Sequence, residues 1–420
     1  MSRLRVEAVV PARHPATGEV GVDRPASGFA TDHLGLLLQG WFANPSKALT
    51  GVRARVNGRD LRAWPVHDDG TRTRYHAVLG ALDLPARFKI ELVPLGDGLS
   101  AAPALTITGR RAVALREAEP GEPAPLLVAA QGRAGSTMLM RLLAGHPDIV
   151  ARTEYPCETR LAQYEAHLAR LQLTPADLLD PALERMEGAD GPGPNPYFRP
   201  DPETVGWMAG AGARAALESA VRRACSFYRH VARVAGRSEK FGFFAEKTPP
   251  RLQRIDLMRA VFPRTRPVLL IRDPRDVLAS ILAFDAKRGF RAFGRENTRD
   301  DADFARRFAR QTADLAQFRA QVPDAAVVHY EDLVRRPEAS LTALWRTLGV
   351  AADRESVRAA LRAAEVDPDG SFAEHRTARD AAASVGRWRR DLPAAVREVC
   401  AGEMAASLAD LGYADGEETS

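Results

Sequence analysis

A short stretch between residues 126 and 143 has the residue types from which anion-binding loops are made. An apolar run, Leu126–Gln131, leads into Gly-Arg-Ala-Gly-Ser-Thr, and a helical pattern begins at Ser136. Backbone N–H groups of a glycine turn, the positive end of a helix dipole and two hydroxyls would then face one space, which suits a phosphate or a sulfate. The phosphate loop of nucleotide triphosphatases has a lysine before its Ser/Thr, whereas this chain has Gly135 there. Taken alone, the pattern also fits a glycine turn that closes an α/β crossover.

A second stretch places a cation and a hydroxyl after another strand pattern. Residues 266–280 predict a buried strand that ends in Arg272, a turn at Asp273-Pro274 and a helix that carries Ser280. On either side of one anion, Arg272 would supply a bidentate cation and Ser280 a hydroxyl. Without the glycine loop, the same residues would also fit a helix start with an ion pair.

Together the two stretches resemble the donor-binding signatures of the sulfotransferases that use 3′-phosphoadenosine 5′-phosphosulfate (PAPS). That family binds the 5′-phosphosulfate with a Gly-Arg-x-Gly-Ser-Thr loop and the 3′-phosphate with an Arg…Ser element. Three more segments resemble family motifs, in the family's order: Ala245–Pro249, Tyr330–Pro337 and Val385–Arg389. The resemblance covers about residues 126–411 and favours the bacterial and tyrosylprotein-like branch over the cytosolic one.

The resemblance implies a role for each matching residue. Ser136 and Thr137 would hold the 5′-phosphate, and Arg133 would balance its charge. Lys247 would act on the oxygen between the sulfuryl group and the leaving phosphate. Ala134 stands where a serine is usual, but the backbone donors remain, so we expect little effect on the donor. The implied donor-binding residues are Arg133, Ala134, Gly135, Ser136, Thr137, Arg272, Ser280, Tyr330, Gly386 and Arg387.

Sulfuryl transfer to a hydroxyl also requires a base. Glu154 lies seven residues after Pro147, where the resembling branch places its catalytic glutamate, and Glu158 is its rival. His146 and His375 are weaker candidates, because each also fits a capping or loop histidine. For Trp388, in the tail motif, we favour core packing over a place near the adenine.

The N-terminal part of the chain predicts antiparallel β structure. Asn57-Gly58 separates two alternating runs, Val52–Val56 and Arg59–Trp64, which is the strongest short-range hairpin signal. Further strand candidates are Leu34–Phe42, Tyr75–Leu79, Phe88–Val93 and Leu105–Gly109. We therefore expect a small β-sandwich module over residues 1–115 and a Pro-rich linker over residues 116–125.

From residue 126 onward, strand patterns alternate with helix patterns, so we predict an α/β domain over residues 126–420, with a parallel sheet covered by helices on both faces. The strand candidates are Leu126–Gln131, Gly242–Glu246, Val268–Arg272 and Ala325–Tyr330. The helix candidates are Ser136–Ala144, Pro250–Val261, Pro274–Ala283 and Pro337–Leu348, with a mainly helical insertion over 155–237 that is broken at 191–196. Ligands of such sheets bind at the C-terminal ends of the strands.

Composition limits the class of protein. The 420 residues are 45% apolar and 27% charged, as in a globular protein, and the net charge of +5 is modest. Basic residues lack the aromatic interleaving of a nucleic-acid surface. We expect no membrane span, and three scattered cysteines indicate a reducing compartment, so we expect a cytoplasmic protein.

These observations predict an O-sulfotransferase with PAPS as donor and no metal. The acceptor is a small molecule or glycan, with a carbohydrate or glycosylated metabolite favoured by basic residues in 155–237 and 286–299. A nucleotide-dependent kinase and a non-catalytic nucleotide-binding protein remain alternatives. The N-terminal module fits a carbohydrate-binding module, a partner-binding module or a structural cap, and homo-oligomerisation stays open.

Overall fold

A computed structural model of the chain describes residues 2–43, 45, 48–154, 159–174, 202–366, 370 and 376–413. The chain divides into two compact units that are not continuous in sequence. Unit one comprises Met1–Ala118, Ala162–Ala224 and Asp256–Pro263, and unit two comprises Glu119–Leu161, Cys225–Ile255 and Arg264–Ser420. The domains predicted from the sequence are continuous ranges of the chain, and their limits stay a prediction.

The described strands of unit one form one antiparallel sheet, in the order β2-β4-β7-β6-β5-β8-β9-β1-β3. The strands are β1 (Leu4–Pro11), β2 (Val20–Arg24), β3 (Ala30–Thr31), β4 (Gly35–Phe42), β5 (Gly51–Val56), β6 (Arg59–Asp68), β7 (Thr73–Gly80), β8 (Arg87–Leu95) and β9 (Leu105–Arg111). Strand β6 pairs with β5 as far as Pro65 and with β7 from Val66 onward. A strand that changes partners in this way turns the corner of a sandwich or barrel. The predicted N-terminal β module is confirmed.

The turn between β5 and β6 has the predicted geometry. Asn57 and Gly58 have φ values of 47° and 82°, and two successive positive φ angles characterise the type I′ hairpin turn. The sequence analysis missed β1 and β2. In β1 the regular alternation of buried and exposed side chains covers only the first half of the strand, so its period-2 signal is weak.

Unit two contains the predicted parallel sheet, with strand order β11-β12-β10-β13-β14. Its strands are β10 (Ala124–Ala130), β11 (Ile149–Ala151), β12 (Phe243–Thr248), β13 (Arg266–Ile271) and β14 (Ala326–His329). Every residue of the central strand β10 is buried. A strand buried along its whole length is covered on both faces, which confirms the predicted α/β architecture. Strand β11, with three residues, is too short to give a sequence signal.

Helices account for most of the remaining described chain. They are α1 (Ser136–Ala144), α2 (Leu161–Gln172), α3 (Pro202–Trp207), α4 (Ala213–Val234), α5 (Ile255–Val261), α6 (Pro274–Arg288), α7 (Asp301–Gln321), α8 (Tyr330–Arg335), α9 (Pro337–Leu348), α10 (Arg354–Glu365), α11 (Trp388–Asp391), α12 (Ala394–Glu403) and α13 (Ala405–Leu411). Helices α1 and α9 match their predicted bounds. Helix α6 runs beyond its predicted end to Gly289, whose φ of 76° provides a left-handed C-cap. The predicted helix break at 191–196 lies outside the described residues.

Parallel pairing determines where the loops of unit two lie. Strand β10 pairs with β12 on one side and with β13 on the other. The loops that follow Ala130, Thr248 and Ile271 therefore leave the same edge of the sheet, where ligands of such sheets bind. Among the described residues, no helix combines the length and the apolar character needed to cross a membrane.

Candidate active site

The glycine loop between β10 and α1 has the backbone of an anion-binding turn. Arg133 and Gly135 both have positive φ, 68° and 91°, and a turn that alternates in this way directs successive N–H groups into one concavity. Gly135 is the N-cap of α1, and no side chain caps the helix there. The N–H groups of the first turn of α1 are thus available to an anion, and the helix dipole favours negative charge at this point.

Gly135 also lies against an aromatic ring. A Cβ atom at this position would overlap the side chain of Tyr330, at the start of α8. The ring is buried and its hydroxyl lies 3.0 Å from Oγ of Ser384, so it cannot easily move away. Position 135 therefore requires glycine both for its backbone angle and for space.

Arg272 connects the glycine loop to the C-terminal tail. It follows β13 directly, is 4% exposed, and donates to the carbonyl oxygens of Arg133, at 3.0 Å, and of Ser384, at 2.7 Å. Its guanidinium lies 4.5 Å from the centre of the Tyr330 ring. The structure thus brings together three residues that the sequence places far apart, Arg133, Arg272 and Tyr330.

Ser280 and Arg387 meet at a threonine that the sequence analysis did not identify. The Ser280 hydroxyl lies 3.2 Å from Oγ1 of Thr377 and accepts a hydrogen bond from Nε of Arg133 at 3.3 Å. Arg387 donates to the carbonyl and to the hydroxyl of Thr377, at 3.0 and 3.1 Å. Two of the residues predicted for the 3′-phosphate, Ser280 and Arg387, therefore meet at Thr377.

The tail motif is fastened to helix α6 by a buried carboxylate. Asp276 accepts hydrogen bonds from the N–H groups of Gly386, at 2.6 Å, and Trp388, at 2.9 Å. Burial raises the pKa of Asp276 to about 6, against the lowering effect of these two bonds. Trp388 packs partly buried against the core of unit two, and the guanidinium of Arg275 lies 4.1 Å from its ring centre.

Lys247 and Ser136 line one cavity of about 300 Å³ in unit two. The lining residues are Ala130, Gln131, Gly132, Ser136, Lys247, Thr248, Pro249, Pro250, Arg251, Ile281, Phe293, Phe308, Gln311 and Asp314. The cavity lies at the C-terminal ends of β10 and β12, and one of its walls is the glycine loop. An anion bound at the N-terminus of α1 would thus share this space with the Lys247 ammonium group.

The candidate bases lie in different environments. Glu154, three residues after β11, has a side chain that is 69% exposed and accepts from Nε of Arg152 at 2.6 Å; it does not line the cavity. Asp314, on α7, lines the cavity and was not predicted. Glu158 lies outside the described residues.

His146 is engaged by the backbone through both ring nitrogens. Its Nδ1 accepts from the N–H of Asp148 at 3.1 Å, and its Nε2 lies 2.9 Å from the carbonyl oxygen of Ala351, to which it donates. The ring is buried and meets Trp345 edge-on, with the ring centres 5.0 Å apart. These contacts indicate a structural role for His146. His375 lies outside the described residues.

A buried polar pair lies next to Lys247 in sequence. Glu246 is 0% exposed, and Tyr228 on α4 donates to its Oε1 at 2.7 Å. Successive side chains of a strand point to opposite faces, so Glu246 lies on the face of the sheet opposite Lys247. Burial and the neighbouring Glu246 raise the pKa of the Tyr228 hydroxyl well above its usual value. No sequence pattern links these two residues, because their partnership depends on how α4 packs.

Within the part of the chain that the structure describes, no group of three His, Cys, Asp or Glu side chains could hold a metal ion.

Fold and site together define an α/β protein whose glycine loop, at the C-terminal edge of a parallel sheet, has the backbone of an anion-binding turn. A sequence model of the sulfotransferase family matches residues 125–354, more than half of the chain. The chain therefore belongs to the sulfotransferase family.

Solved structures similar to this chain include several sulfotransferases. The sulfotransferase domain from the curacin biosynthetic pathway is 15% identical, with a TM-score of 0.38 over 66% of this chain and 96% of that one. Sulfotransferase STF9 from Mycobacterium avium is 17% identical, with a TM-score of 0.33 over 67% and 76% of the two chains. Retinol dehydratase, solved with androsterone and the inactive cofactor PAP, is 15% identical, with a TM-score of 0.36 over 79% and 92%. No curated protein sequence matches this chain.

Proposed function

We propose that this sulfotransferase transfers a sulfuryl group from PAPS to an acceptor hydroxyl. One observation carries the proposal: the glycine loop, Arg272, Ser280 and the tail converge in unit two, and the loop also opens onto the cavity lined by Lys247. A donor with phosphates at the 3′ and 5′ positions of its ribose requires two anion sites. The N-terminus of α1 supplies one, and Arg272, Ser280 and Arg387 supply the other.

The residues present fit such a donor. The uncapped first turn of α1, with Ser136 and Thr137, suits the 5′-phosphate. Arg272 and Arg387 are buried guanidinium groups held by backbone carbonyls. Such preorganised donors suit a phosphate, because little side-chain freedom remains to be lost on binding.

In the proposed reaction, the acceptor oxygen attacks sulfur, and a new O–S bond forms as the bond from sulfur to the 5′-phosphate oxygen breaks. The products are the sulfate ester and 3′-phosphoadenosine 5′-phosphate (PAP). Lys247 stabilises the negative charge that grows on the leaving oxygen, which is where a cation lowers the barrier most. The reaction needs no metal in principle, because a sulfuryl unit carries less charge than a phosphoryl unit.

The proton of the acceptor hydroxyl goes to a carboxylate, and we propose Glu154 as that base. Asp314 is the carboxylate that lines the cavity, so its variant is compared with that of Glu154. Glu154→Gln should abolish turnover while PAP still binds, and Asp314→Asn should retain most of the turnover. The reverse pattern would transfer the role of base to Asp314. If Glu158→Gln abolishes turnover and Glu154→Gln does not, the base is Glu158.

For the acceptor, we propose a carbohydrate or a glycosylated metabolite. The polar part of the cavity wall includes Gln131, Gln311 and Asp314, which can accept hydrogen bonds from neighbouring hydroxyls. The segment 286–299 contributes Phe293 to the wall, and an aromatic ring packs well on the apolar face of a sugar.

We place the reaction in the cytoplasm, consistent with the free buried thiols of Cys225 and Cys400.

Calorimetric titration with PAP tests the function, with adenosine 5′-phosphate and ATP as controls. We expect PAP to bind most tightly, and Arg272→Ala to weaken PAP binding by about 100-fold while leaving adenosine 5′-phosphate nearly unaffected, because a bidentate charged contact is lost. Arg266→Ala, at the exposed start of the same strand β13, is the matched control. A preference for ATP would favour the kinase alternative. PAP binding without turnover on any acceptor would favour the binding protein.

A further inference from the structure

One side chain binds backbone N–H groups before and after Arg387 in the sequence. The N–H groups of Gly386 and Trp388 donate to the two oxygens of Asp276, Oδ2 and Oδ1. These two bonds restrain the backbone from Gly386 to Trp388, and so the position from which the Arg387 side chain starts. We propose that Asp276 is a positioning residue for donor binding, which holds the tail turn so that Arg387 reaches the 3′-phosphate.

The carboxylate is well placed for this task. Asp276 is 1% exposed and lies in the first turn of α6, the helix that also carries Ser280. Ser280 and Arg387 meet at the hydroxyl of Thr377. The same helix therefore supplies one group of the 3′-phosphate site and anchors the segment that supplies another.

The tail turn has little stability of its own. Gly386 has a φ of 72°, and the α11 helix that follows spans only Trp388–Asp391. A helix of four residues has little stability of its own. The contact of Trp388 with Arg275 secures the turn from the ring side, and Asp276 ties its backbone N–H groups to helix α6.

The inference rests on the proposed function, and it concerns a residue that does not touch the donor. A positioning role differs from a general structural role in its selectivity. Displacement of Arg387 weakens ligands that carry a 3′-phosphate and spares those that lack one. A general loss of folding would weaken both alike.

The test compares Asp276→Asn with the unmodified chain. Asparagine keeps the shape but replaces one accepting oxygen with an NH₂ group, which then faces a backbone N–H. We expect the Kd of PAP to rise about tenfold, as for the loss of one charged hydrogen bond, with the Kd of adenosine 5′-phosphate unchanged. Hydrogen exchange at the amides of Gly386 and Trp388, followed by mass spectrometry, should become at least about tenfold faster. Glu398→Gln, which removes an exposed carboxylate from α12, is the control for the change in charge.

A second variant distinguishes loss of the tail turn from a folding defect caused by the change at Asp276. Gly386→Ala leaves Asp276 intact and forces the turn out of its left-handed conformation at an open position, where the nearest atom to the new Cβ belongs to the Arg389 side chain. It should show the same selective loss for PAP.

The outcomes separate this inference from the proposed function. Unchanged amide exchange in Asp276→Asn would overturn the anchoring. Faster exchange with an unchanged Kd for PAP would overturn the donor role, and so would an equal loss for both nucleotides. If the unmodified chain does not bind PAP at all, the proposed function fails and this inference fails with it.

Discussion

Both compact units contain a turn with left-handed residues, but the two turns have different surroundings. Each contains a turn with two left-handed residues: Asn57-Gly58 in unit one, and Arg133 with Gly135 in unit two. Around Gly58 nothing lies within 4 Å of where a Cβ would be, whereas at Gly135 the Tyr330 ring occupies that space. The first turn only reverses the chain. The second shapes the glycine loop of the candidate site, and the Tyr330 ring packed on it is a residue of that candidate site as well.

Buried tyrosines show the same contrast. In unit one, Tyr75 donates to the neutral carbonyl of Gly21 at 3.1 Å. In unit two, Tyr228 donates to the carboxylate of Glu246. The Tyr75 hydroxyl thus satisfies a backbone carbonyl, whereas the Tyr228 hydroxyl satisfies a carboxylate on the strand that carries Lys247. Charged groups left without a partner are much more costly than neutral ones, so removal of the Tyr228 bond should be the more destabilising of the two.

Substitution of Gly135 should give the largest effect. Gly135→Ala adds a left-handed alanine and an overlap with a ring that is fixed by Ser384, so we expect a loss of about 2 to 5 kcal/mol in the free energy of unfolding. PAP binding should fall below detection, because the loop N–H groups lose their alignment. Urea unfolding and calorimetry measure the two effects. A variant with unchanged PAP affinity would show that the loop does not hold the 5′-phosphate.

The next largest effect concerns pH. Burial raises the pKa of Asp276 from 3.8 to about 6 in the folded chain, so the folded state binds this proton more tightly than the unfolded state does. The stabilising contribution is complete below pH 3.8 and is lost as the pH rises through about 6. We expect the unfolding free energy of the unmodified chain, relative to Asp276→Asn, to fall by up to about 3 kcal/mol between pH 4 and pH 7. A difference that does not vary with pH, in urea unfolding of the two proteins, would contradict the raised pKa.

A pair of tyrosine variants compares the two units directly. Tyr228→Phe leaves an oxygen of the buried Glu246 without its donor and should cost about 1 to 3 kcal/mol. Tyr75→Phe removes a bond to a neutral carbonyl and should cost about 1 kcal/mol. Thermal and urea unfolding give both values, and Tyr164→Phe, at an exposed position, is the control. Equal costs for the two buried tyrosines would remove the distinction between the units.

The smallest effect is expected at the hairpin turn. Gly58→Ala meets no neighbouring atoms, so only the left-handed backbone penalises it, by about 1 kcal/mol. PAP affinity should not change. A loss of PAP affinity in this variant would mean that turn geometry in unit one matters for donor binding as well.

Most of the fold could be predicted from the sequence, because its signals are local. Helix α1 begins where an apolar run meets a glycine turn, and the Asn57-Gly58 hairpin follows from the two residues that best tolerate positive φ. The signals failed where elements were short or unpatterned, as in β11 and β1. The candidate site could be predicted only in part: Thr377, Ser384 and Asp276 have no residue pattern that marks them, and they acquire their roles from distant partners.

The sequence by itself determined the family, the alternation of the main strands and helices in unit two, and the residues of the glycine loop and of the Arg272–Ser280 segment, since each depends on neighbours within about one element. Only the tertiary structure decided that Arg272 and Tyr330 enclose the glycine loop, that the tail is anchored on Asp276, and that Lys247 shares a cavity with Ser136. The physical reason is that hydrogen bonds and burial join residues more than 100 positions apart, and their free energies depend on the packing of the whole unit rather than on any local pattern.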